Sequence, residues 1–205
     1  MPRVKIPRKS TAIDMTAMCD VAFLLLTFFI LTATARQPEA LPVDTPASIT
    51  TMPQPDVDIA TLTVGQGQIF FGTKGQNIRE RMLELMGDEY GISFTPEEKA
   101  RFKLMENFGV PLGNLKQLIA MSSTDRIKPG VQKGIPTDTT ETSELYKWIR
   151  NARLATKEIN NTALRISIKG DAKEEYPAIQ SVIKILQKQE INKFSLITSL
   201  RGAEE

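Results

Sequence analysis

The chain of 205 residues contains no histidine and a single cysteine. Without histidine, neither a Ser-His-Asp nor a Cys-His nucleophile system can be assembled. One cysteine, Cys19, excludes an intrachain disulfide, and the two shortages together leave no plausible zinc site. A dominant charge is missing too: 26 Lys and Arg stand against 24 Asp and Glu, a net +2. Aromatic residues make up only 6%. No basic stripe interleaved with them occurs, so nucleic acid is set aside as a partner. No catalytic residue, metal or cofactor is expected.

What the chain does have is one long apolar run, TAMCDVAFLLLTFFILTATA from Thr16 to Ala35, with Asp20 set inside it. Residues 1–12 form a tail carrying Arg3, Lys5, Arg8 and Lys9, whereas Arg36 stands almost alone before an acidic, Pro-rich stretch. The positive-inside rule keeps such an N-terminus cytoplasmic and exports the rest, which in a Gram-negative bacterium is periplasmic. Residues 13–35 rise roughly 34 Å as a helix, enough to cross a hydrocarbon core of ~30 Å. A secretory signal shares the basic start and short apolar core, and Ala33-Thr34-Ala35 would serve as its cleavage site.

The polar residues argue for a retained span. Thr16, Asp20, Thr27 and Thr34 fall along one stripe of a helix, with Phe23, Leu24 and Leu31 between them. A cleaved signal has no use for such a stripe, whereas a helix packed on others or lining a wet path does. An ionisable group inside a span costs roughly 2.5–3.5 kcal/mol on insertion scales, so Asp20 is expected to have a partner or a task. The plainer alternative is an acid close enough to the cytoplasmic end to reach water. Its place about 10 Å in from Ile13 weighs against that.

Residues 36–56 contain Pro38, Pro42, Pro46, Pro53 and Pro55 and read as an extended, solvated linker reaching up to ~60 Å. Residues 57–201 read as one exported domain. Val57–Val64 alternates as a half-buried strand and returns through Gly65-Gln66-Gly67 into Gln68–Phe71, a hairpin. Asn77–Met86 is an amphipathic helix. Thr95-Pro96-Glu97-Glu98 opens another with a capping box, its apolar face Phe102, Met105 and Phe108 ending at Gly109. A short helix follows over Leu112–Met121, then loop over Ser122–Thr142. Ser143–Asn160 is a helix, Leu164–Ile168 a strand, Ala178–Gln189 a helix and Phe194–Leu200 a strand. Strand–helix–strand at this spacing makes the two strands parallel. The expected fold class is α+β: one N-terminal transmembrane helix, a linker, and a small mixed sheet with helices on one face.

This order of elements resembles the ExbD/TolR family of proton-driven inner-membrane motor subunits. Ile13-Asp14-Met15-Thr16-Ala17-Met18-Cys19-Asp20-Val21 is similar to the family's "(I/V)NxTPxxDV" entry into the span. Asp14 stands where the family usually has Asn and Ala17 where it usually has Pro, which changes how the helix enters the membrane but keeps the acid. Leu41-Pro42 with Pro46-Ala47-Ser48 resembles the "LPxA" segment after the span. Asp171, Tyr176, Ile179, Val182, Leu186, Ile191, Leu196 and Thr198 follow the family's C-terminal pattern. The resemblance covers about 1–76 and 140–201, and residues 77–139 look like a helical insertion.

The resemblance implies that two copies of the helix sit in the pore of a pentameric ExbB/TolQ-like membrane subunit. Asp20 would take a proton from one side and release it to the other, with Thr16, Thr27 and Thr34 on the pore face. The linker and domain would pass the motion to a TonB-like energiser. Rival readings come from other classes. Ser181-Val182-Ile183-Lys184 has the S-x-x-K spacing of acyl-transfer enzymes, but no S-D-N or K-T-G accompanies it. A non-motor scaffold or cell-wall-binding module on an inert anchor is the main alternative. A MotB-like stator is closer in class, though no peptidoglycan-binding pattern is evident.

Overall fold

Apolar side chains on every face make a helix of Met15–Thr32, α1, in the computed structural model, which describes residues 15–33, 39, 41–48, 57–138, 140, 142–174 and 176–200. The chain divides into two units, residues 1–38 and 39–205. Within the first, α1 buries none of its residues.

The second unit is a mixed α+β domain, as its periodicities predict. A two-residue strand β1 (Ala47–Ser48) precedes the hairpin β2 (Ile59–Gly65) and β3 (Gln68–Thr73). Gln66 and Gly67 both take positive φ, 54° and 69°, the two-residue turn whose twist matches that of the flanking strands. Three elements follow: α2 (Gln76–Tyr90), α3 (Pro96–Lys103) and the short strand β4 (Asn107–Phe108). Next come α4 (Leu112–Ala120), the single turn α5 (Ser123–Arg126) and α6 (Glu144–Asn160). The chain closes with β5 (Arg165–Gly170), α7 (Tyr176–Lys188), β6 (Phe194–Ile197) and β7 (Ser199–Leu200). The capping box at α3 is complete: the Thr95 hydroxyl accepts from the Glu98 N–H, and Glu98 accepts from the Thr95 N–H.

The main sheet runs β4-β3-β2-β5-β6. Its first three strands are antiparallel neighbours, while β2, β5 and β6 are parallel, so the expected β5–α7–β6 unit is present. One sheet face carries Ala60, Leu62, Val64, Phe71, Ile166 and Ile168, which pack into a single core with α2, α3, α4, α6 and α7. At its centre Trp148 lies 4.8 Å from Phe108 and 6.3 Å from Phe102, ring centre to ring centre. The opposite face carries Thr61, Thr63, Ser167 and Lys169, the positions that alternate with the core residues.

Two features differ from the sequence reading. The helix expected to run to Gly109 stops at Lys103, and Asn107–Phe108 become β4 instead. Phe108 stands opposite Phe71 across the ladder, their rings 6.2 Å apart, and this cross-strand aromatic pair outweighs the helical spacing. Residues 77–139 therefore contribute a strand and helices to the same sheet and core, and are built into the domain.

The second difference is in the Pro-rich stretch. Leu41–Ser48 is extended, as its prolines require, yet it is seated on the domain and not solvated throughout. Leu41 is only 6% exposed, Val43 and Thr45 are half-buried, and Pro42 and Asp44 between them are exposed. A proline lacks an N–H but keeps its carbonyl. The Asp44 and Pro46 carbonyls accept from the Ala172 and Ser199 N–H groups, and β1 pairs parallel with β7. Gly65 permits the close approach, because a Cβ there would lie 2.6 Å from Val43 Cγ1. Of the remainder of the expected linker, residues 36–38, 40 and 49–56 lie outside the described residues.

Leu41→Asp puts a charge into this seat. It is expected to unseat the strap and leave the core intact, so that hydrogen exchange speeds up by tenfold or more at the Ala172 and Ser199 amides. Unchanged protection at both amides would show that Leu41 does not hold the strap.

Candidate functional site

Helix α1 rises about 27 Å over its 18 residues and has a mean hydropathy of 2.0. Its large side chains are open, from Leu25 at 52% exposed to Leu31 at 85%. A helix that is apolar all round belongs in a protein core or in a membrane, and this one buries none of its residues. Length and composition suit a membrane span.

Asp20 is the only charged side chain in this helix. At 100° per residue, Thr16 and Thr27 lie within about 40° of it on the helix circumference, so the stripe expected from the sequence exists over Thr16, Asp20 and Thr27. Thr34, the fourth member, lies outside the described residues. The Thr27 hydroxyl donates to the Leu24 carbonyl at 2.9 Å, so its proton is satisfied within the helix and only its lone pairs face outward. Thr32, off the stripe, does the same toward Phe28 at 2.8 Å. The acid is thus the one carboxyl group of the stripe.

The linker residues Leu41, Pro42 and Pro46 divide in role. Leu41 is buried, Pro46 supplies the carbonyl that Ser199 binds at 3.0 Å, and Pro42 is exposed. The strap is also held by an ion pair between Glu39 and Lys169, which no local pattern announces because the two are far apart in the chain. The Ser181–Lys184 pair gains nothing from the fold. Ser181 is spent on the Pro177 carbonyl of its own helix at 2.9 Å, and both residues lie on α7. Among the described residues no group of His, Cys, Asp or Glu could hold a metal ion.

Elsewhere the domain surface is tied by ion pairs. Glu89 meets Arg150 at 2.7 Å and Lys147 at 3.3 Å. Burial would raise its pKa, but the Asn151 amide and the two cations prevail and hold it below the ordinary glutamate value. Glu84, between Lys99 and Arg81, is likewise lowered, chiefly by the Lys99 hydrogen bond. These pairs stabilise the α2–α6 and α2–α3 contacts above the ordinary glutamate range, and that stabilisation is lost as pH falls below it.

Comparison with known proteins finds one family. The family model described as Biopolymer transport protein ExbD/TolR matches residues 7–201, nearly the whole chain. No curated protein and no solved structure matches.

Proposed function

Because the chain belongs to the ExbD/TolR family of biopolymer transport proteins, we propose that it is the proton-carrying subunit of an inner-membrane motor driven by the proton-motive force. Family members are transport-system proteins that work in membrane complexes with ExbB/TolQ-type partners, and one N-terminal apolar helix fits a single-pass membrane protein. The observation that carries the finer reading is Asp20: a single carboxyl on a helix whose other faces are all apolar, in line with two threonines.

A carboxyl can take up and give up a proton, which the hydroxyl and alkyl groups on the same helix do not do. A carboxyl exposed in turn to the two sides of the membrane then converts the proton gradient into cycles of charge and neutrality. Each neutralisation changes which surroundings the helix prefers. In this reading two copies of α1 stand in the pore of a pentameric ExbB/TolQ-like subunit. The N-terminus is cytoplasmic, the α+β domain is periplasmic, and a TonB-like energiser receives the motion.

Extraction of the full chain in a mild detergent is expected to bring with it a multi-span ExbB/TolQ-type protein, in molar excess over this chain. Recovery of the chain alone, under conditions that keep other inner-membrane complexes whole, would sink the motor reading and leave the inert-anchor one.

A further inference from the structure

Two helices of the domain end beside one another, and the ground between them is hollow. α6 ends at Asn160 and α7 at Lys188, and within two residues of each end a positive φ, at Asn161 and Glu190, turns the chain back toward β5 and β6. The two turns wall a cavity of about 770 Å³. Leu154, Leu164 and Ile191 give it apolar side chains. Leu164 and Ile191 are half-buried and pack on the core, whereas Leu154 is 44% exposed. A lone exposed leucine is ordinary. One that opens into a hollow beside two further apolar groups is a seat for an apolar side chain.

The charges around this seat are unequal. Arg150 is committed to Glu89 at 2.7 Å. Arg153, Lys157 and Lys193 then stand against Glu190 alone. Arg153 donates from Nη1 to the Gln189 carbonyl at 3.1 Å, which satisfies one N–H and leaves the charge in place. Lys157 and Lys193 have no ion-pair partner among the described residues. The C-terminal ends of α6 and α7 carry about half a negative charge each, which offsets about one of the two surplus positive charges. One remains. All three cations are exposed, so an incoming group meets them without displacing any part of the core.

An apolar seat rimmed by surplus positive charge is complementary to a carboxylate next to an apolar side chain. We infer that the cavity docks an acidic, extended segment of a partner protein. One apolar side chain of that segment sits on Leu154, and the neighbouring carboxylate meets Lys157 and Lys193. An anionic bilayer needs its cations on a flat or bulging face. Here they stand around a hollow, which admits a protruding side chain and not a membrane. The site rests on the domain alone and does not depend on proton carriage by Asp20.

The test holds the full chain in phosphatidylcholine bicelles and follows the methyl groups of Leu154, Leu164 and Ile191 by NMR. The probe is a short capped peptide of alternating glutamate and leucine. One control peptide has glutamine for every glutamate, and the other has serine for every leucine. Saturable shifts with the probe are expected, with binding several-fold weaker for either control. Lys157→Gln combined with Lys193→Gln should weaken the probe about tenfold, and Glu190→Gln, which removes the opposing acid, should tighten it. These side chains are exposed, so the core methyl spectrum should stay as it is. Either control binding as well as the probe would overturn the proposal, as would a midpoint that none of the substitutions moves. So would shifts on adding phosphatidylglycerol to the bicelles with none from the probe, the result for a membrane-facing surface.

Discussion

Asp20→Asn is expected to reduce proton-driven transport to the level of cells lacking the chain, with insertion and assembly unchanged. Asparagine has nearly the size and polarity of the acid, so the helix keeps its packing and its stripe with Thr16 and Thr27. It cannot take up or release a proton. Proton flux into vesicles holding the chain with its multi-span partner should fall to the leak of empty vesicles. The same substitution at Asp14 serves as the control. The family usually has Asn at that position, so the substitution is one the family accommodates. Asp14→Asn should retain flux. If Asp20→Asn retained it as well, α1 would be an inert anchor and the motor reading would fail.

Trp148→Ala is expected to have the largest effect on stability, about 3–5 kcal/mol, within the range for aromatic truncation in a core. Trp148 is fully buried, and its rings meet Phe102 and Phe108 where α6, α3 and β4 converge. Its Nε1 has no hydrogen-bond partner, so truncation breaks no hydrogen bond and the loss is one of packing and cavity. For a domain of this size that amounts to a fall in melting temperature of roughly 10 °C or more, readable by thermal unfolding of the full chain in detergent. Trp148→Phe should cost distinctly less, since it keeps an aromatic ring in the cluster. Equal losses in the two variants would mean that the cavity does not set the cost.

How much of this was readable beforehand depends on the length of the signal. The β2–β3 hairpin, the α3 capping box and the α6 and α7 faces each repeat a pattern over several residues. Periodicity alone finds them. β1, β4 and β7 are two residues long, too short to show a period, and each exists only because a partner strand is beside it. The seat of Leu41 is invisible for a related reason: one leucine in a Pro-rich stretch looks like part of a tether until Gly65 and Val43 are seen together. Asp20 was the most legible candidate residue, since an acid inside an apolar run stands out wherever the helix goes. The turning of the Thr27 hydroxyl onto Leu24 is a matter of rotamer, and no sequence pattern encodes it.

The seated strap has a mechanical consequence. Tension applied to the chain before Glu39 would meet the Glu39–Lys169 pair and the Leu41–Ser48 seat before it met the β2–β3 hairpin. The strap is held by a buried leucine, a short ladder and one partly exposed ion pair, contacts worth a few kcal/mol together. They follow one another along the chain, whereas the five strands of the main sheet are joined side by side. Under such a load the strap is expected to peel before the core unfolds.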